Sequence, residues 1–82
     1  MTNEQQQRRR ARLAWLRTSG LLADLPGTRA ALTTAQRQAL DLACTRMMAL
    51  GLYAPRTAAR AQVQWSIRVM VSELRQAEPP KG

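Results

Sequence analysis

The 82-residue sequence contains no histidine and no phenylalanine, and only one cysteine and one tyrosine. Without histidine, imidazole acid–base catalysis and His-ligated metal sites are excluded. Cys44 cannot form a disulfide within the chain, and a lone thiol fits a reducing compartment better than a secreted scaffold. It falls on the inner face of a helical segment without a local base, which reads as core packing rather than a nucleophile. The five acids, Glu4, Asp24, Asp41, Glu73 and Glu78, are scattered, and no two stand three or four residues apart as a local carboxylate pair would. The four glycines are isolated, so there is no phosphate-cradling loop. Together these absences predict a protein that is not an enzyme and takes no cofactor and no metal.

Long apolar runs are also missing. Nothing approaches the roughly 20 residues needed to cross a bilayer. The cluster Arg8-Arg9-Arg10 followed by Leu13 to Leu16 has the outline of a signal peptide, but Arg17 interrupts it and no cleavage site follows. The N-terminus therefore reads as mature and the protein as cytoplasmic.

What is present favours helix. Ala, Leu, Arg and Gln dominate, and the β-branched residues gather mainly between Val63 and Val71. One domain over 1–82 is expected, with a modest core, since a chain this short buries only about 60% of its unfolded surface. Self-association as a dimer is one route to added stability. The spacing predicts three helices, at about 4–19, 33–50 and 55–77, with tails at 1–7 and 78–82 that fray. Gly20 stops the first helix, and Leu21, Leu22 and Leu25 form an apolar turn closed by Pro26-Gly27. Thr33 and Gln36 make a capping box at the start of the second. Gln36, Leu40, Ala43, Cys44, Met47 and Gly51 share its inner face, while Ala39, Leu42, Ala49 and Leu50 extend apolar surface around it, as in a central helix. Pro55 suits the first position of the third helix. The short connector Leu52 to Pro55 implies that the last two helices pack as an antiparallel hairpin, with the arginine-rich first helix lying across them as an appendage.

The third helix has two stripes. Ala59, Val63, Ile67, Met70, Val71 and Leu74 form the expected core side. Opposite them, Ala58, Ala61, Trp65, Val69 and Ser72 form a second small or apolar row that needs a cover. Either Leu13, Trp15 and Leu16 of the first helix pack onto Trp65, or Trp65 anchors a partner or dimer interface.

Thirteen Lys and Arg against five acids give a net charge of +8, which points to acidic partners. All but Lys81 are arginines, consistent with recognition of phosphate or carboxylate and equally with a GC-rich genome. Arg8, Arg9, Arg10, Arg12 and Arg17 form a basic surface on the first helix. This surface could track a nucleic-acid backbone, and its ordinary alternative is a solvated helix face. An interfacial membrane role is less well matched, because the apolar face of this helix is short.

The segment Leu32 to Leu40, with Gly51-Leu52 and Pro55-Arg56-Thr57, resembles a helix-turn-helix over about 26 residues. Arg46, Thr57 and Arg60 stand where that motif takes apolar residues and Met47 where it takes alanine, so the chain is not assigned to the family. The expectation is a non-catalytic regulatory protein that engages an acidic protein partner, or itself, through an exposed helical face. Accessory factors of phages and plasmids that inhibit or redirect host machinery share this profile. The alternative is a nucleic-acid-binding regulator that uses the first helix as a basic arm.

Overall fold

A computed structural model describes residues 3–29, 31–53 and 59–77. Among the described residues, three helices make up an all-α domain: α1 (Asn3–Thr18), α2 (Thr34–Ala49) and α3 (Arg60–Ala77), with a short 3-10 turn at Leu22–Asp24. There are no strands among the described residues.

Helix ends follow local chemistry where the sequence carries it. The Thr33 hydroxyl accepts the Gln36 amide at 3.1 Å, and the Gln36 side chain accepts the Thr33 amide at 3.1 Å, which completes the expected box. Gly20 and Gly51 follow α1 and α2 with φ of 76° and 72°, a left-handed conformation that glycine adopts without a Cβ penalty. At the end of α1 the Ser19 hydroxyl donates to the Leu16 carbonyl and accepts the Leu21 amide, which turns the chain into the 3-10 segment.

The start of α1 is close to the expected position, while part of the expected tail and the start of α3 differ. Residues 3–7, expected as frayed tail, are helical, and Glu4 in the first turn complements the dipole and pairs with Arg8 at 3.2 Å. α3 begins at Arg60 rather than at 55. Pro55 lies outside the described residues, as do 78–82, but Ala59 precedes the helix and its carbonyl takes the Val63 amide. Tertiary contacts hold the new start: Arg60 donates to the Asp41 carbonyl and the Thr45 hydroxyl of α2.

α2 and α3 form the antiparallel hairpin. Asp41 meets both Arg60 and Gln64, while Cys44, further along α2, lies against the Arg60 carbonyl. The core between them consists of Ala39, Leu40, Ala43, Cys44 and Met47 facing Val63, Ile67, Met70, Val71 and Leu74, closed by Leu16 and Leu25. Ala59, expected on this stripe, is exposed ahead of the helix. α2 is not a central helix buried all round. Leu42 is 41% exposed, Leu50 60%, and Ala49 is also open, because α3 and the 3-10 turn cover one side of α2 only.

α1 is more than an appendage. Leu16 is fully buried, with Leu13 and Trp15 packed against the core. Arg9 pairs with Glu73 of α3 at 2.7 Å, and Arg12 donates to the Leu52 carbonyl at 2.9 Å. The Arg9–Glu73 pair sets α1 beside the end of α3, and the Arg12 bond ties it to the segment that follows α2.

Candidate binding face on the third helix

The outer side of α3 is bounded on both flanks by the chain itself. On one flank lies α1, anchored at Glu73, and Tyr53, whose hydroxyl bonds to Ser66 at 3.0 Å. On the other flank the segment 22–28 is drawn onto α3 by three side chains at positions 68, 72 and 75. Arg68 donates to the Gly27 carbonyl through Nε and Nη2 at 3.2 and 3.0 Å. Ser72 Oγ accepts the Thr28 amide at 2.9 Å. Arg75 Nη2 donates to the carbonyls of Leu25 at 2.6 Å and Leu22 at 3.2 Å. The Leu25 and Gly27 carbonyls and the Thr28 amide lie beyond the 3-10 turn, so the bonds to them satisfy backbone groups outside any helical ladder.

Between these flanks the predicted second stripe divides. Ala61 is exposed and Trp65 is 54% exposed; Val69 is half-buried. Ser72 is taken up within the fold by Thr28, and Ala58 lies outside the described residues. Of the two arrangements expected for Trp65, α1 does not seal it. The indole is steadied by the Arg68 guanidinium, which sits 5.5 Å from its ring centroid and thereby joins the exposed ring to the Gly27 turn. An amphipathic ring held on a rigid helix with little conformational entropy left to lose is suited to be an interface anchor.

The basic surface of α1 divides in the same way. Arg8 is paired with Glu4, Arg9 with Glu73, and Arg12 holds the Leu52 carbonyl while lying over the Tyr53 ring. Arg10 and Arg17 face outwards with no ion-pair partner among the described residues. They stand seven residues apart, hence in one row about 10 Å long.

Cys44 is fully buried, its Sγ 3.7 Å from Met48 Sδ, and burial pushes its thiol pKa up. No group of acids and cysteine among the described residues could hold a metal ion, and no described helix is long and apolar enough to cross a membrane. The Pro55-Arg56-Thr57 segment of the helix-turn-helix resemblance lies outside the described residues.

The sequence reading missed Arg29, Arg75 and Gln76, which with Ser72 surround a cavity beside Gly27. The signal available was a Pro-Gly turn rich in unpaired carbonyls together with donors at 68, 72 and 75 on one side of a helix. Compared with models of protein families, with curated proteins and with solved structures, the chain matches none.

Proposed function

We propose that this chain is a non-catalytic regulatory binding protein that engages an acidic protein partner through the outward side of α3, with Trp65 as the anchor. The observation that carries the reading is the exposure of Trp65, 54%, on a helix whose flanks are already occupied. A tryptophan in that setting offers a large apolar area at little entropic cost, and such residues supply a disproportionate share of interface energy. The +8 net charge supports an acidic partner, because opposite charge speeds encounter and disfavours basic competitors. A cytoplasmic protein of this kind needs no catalytic group, in keeping with the absence of histidine and the buried thiol.

The nucleic-acid reading has less support than the sequence alone gave it. Three of the five arginines proposed for a basic arm are bonded within the fold, leaving Arg10 and Arg17 for a phosphate backbone.

Trp65→Ala tests the proposal. Loss of the indole should weaken partner association by about 2 kcal/mol or more while leaving the thermal midpoint nearly unchanged, because the ring is outside the core. Affinity capture before and after nuclease treatment reads the partner, and light scattering reads self-association. Association that is unaffected by the substitution, or that disappears with nuclease, overturns it.

A further inference from the structure

Beyond Trp65, towards the end of α3, the same side of the molecule carries a cavity of about 330 Å³ lined by Gly27, Thr28, Arg29, Ser72, Arg75 and Gln76. Every polar side chain around it offers a donor, and none is acidic: two guanidinium groups, one amide and two hydroxyls. Arg75 is fixed by its two bonds to the Leu22 and Leu25 carbonyls, both made through Nη2. Its Nη1 lies 3.7 Å from the point that a Cβ on Gly27 would occupy. That same Cβ would stand 2.8 Å from Ser72 Oγ, so only glycine lets the turn approach α3 this closely and leaves the floor of the cavity open. The Thr28 amide occupies one acceptor site of the Ser72 hydroxyl, and the Thr28 and Ser72 hydroxyls are hydrogen-bonded to each other at 3.2 Å, which leaves one hydroxyl proton of the pair free to donate. Arg29 is exposed at the rim, with no ion-pair partner among the described residues.

Donors of this kind, gathered around a concave surface with two positive charges, match a planar oxyanion that accepts through both oxygens. We infer that the cavity receives a carboxylate from the acidic partner that covers Trp65; this inference rests on the reading of that face given above. Ser72 follows Trp65 by seven residues, about 10 Å along the helix. The partner segment therefore carries an apolar side chain and a Glu or Asp about two helical turns apart.

Amide NMR on the whole chain tests the cavity without the partner in hand. Hexaglutamate is titrated against the protein, with inorganic phosphate and sodium chloride at matched ionic strength as the other arms. The expected result is saturable shifts at Thr28, Arg29, Ser72 and Gln76 with hexaglutamate. Binding should be about tenfold weaker in Arg29→Gln, which removes one charge-assisted bond, and weaker also in Gln76→Glu, which sets a like charge at the rim. Both positions are exposed, so the thermal midpoint stays put, and Trp65→Ala retains the hexaglutamate shifts. Shifts spread evenly over Arg10, Arg17 and Arg37, or affinity unchanged from the wild type in both cavity variants, overturn the inference. Saturation by phosphate but not by hexaglutamate overturns the carboxylate assignment. Intact hexaglutamate binding combined with partner capture insensitive to Trp65→Ala sinks the reading of the helix face and leaves the cavity standing.

Discussion

The guanidinium of Arg12 lies over the ring of Tyr53, 4.3 Å from its centroid, while its Nε donates to the neighbouring Leu52 carbonyl at 2.9 Å. One side chain on α1 thus grips the connector that follows α2, and Tyr53 passes the grip to α3 through Ser66. Arg12→Ala should cost about 1.5–3 kcal/mol, the range for a hydrogen bond from a charged group. Arg10→Ala, which removes the same charge from an exposed site, should change stability by less than about 0.5 kcal/mol. Urea denaturation of the pair checks the contrast; equal losses would mean that charge, rather than the grip, is what matters.

Leu16 decides whether α1 belongs to the cooperative unit. It is fully buried among core residues, and Leu16→Ala should destabilise by about 2–5 kcal/mol. The loss should appear in one transition followed by circular dichroism. A separate early transition of α1, with the α2–α3 hairpin melting at its original midpoint, would return α1 to the status of an appendage.

The capping box offers a smaller, local test. Thr33→Ala removes the acceptor of the Gln36 amide and should cost about 1 kcal/mol, the usual penalty for an N-cap. Thr33→Ser should restore most of it in the same denaturation assay.

Burial pushes the Tyr53 phenol above its ordinary range, against the opposing pull of the Ser66 hydrogen bond and of Arg12. The folded state therefore holds this proton more tightly than the unfolded chain does. Stability from this source is fully present below the unfolded value of about 10 and is lost as pH rises through the folded one. Tyr53 is the only tyrosine, so tyrosinate absorbance gives a clean titration. A midpoint at or below that of the urea-unfolded chain contradicts the assignment.

How much of this could be read beforehand depended on whether the cause was local. Thr33, Gln36, Gly20 and Gly51 mark helix ends through bonds to their own neighbours, and the structure has them as read. The core side of α3 followed from spacing alone, because Val63, Ile67, Met70, Val71 and Leu74 must share a face on any helix. Start residue Arg60 was hidden, since it depends on Asp41 and Thr45, fifteen or more residues away. Ser72 misled for the same reason. In sequence it is one more small residue on an apolar row, and only the return of the Pro26-Gly27 turn, more than forty residues distant, makes it a partner for Thr28. Trp65 was legible as needing an explanation, whereas its exposure depended on where α1 and the 22–28 segment came to rest.

At least six of the twelve arginines, at positions 8, 9, 12, 60, 68 and 75, donate to oxygen atoms of this same chain. A version rewritten with lysine at every one of those six sites would carry the same +8 yet lose the two-nitrogen hold on Gly27 and the flat group laid over Tyr53. Electrophoretic behaviour would be preserved and the Gly27 turn would come loose, so the arginine content is as much a matter of architecture as of charge.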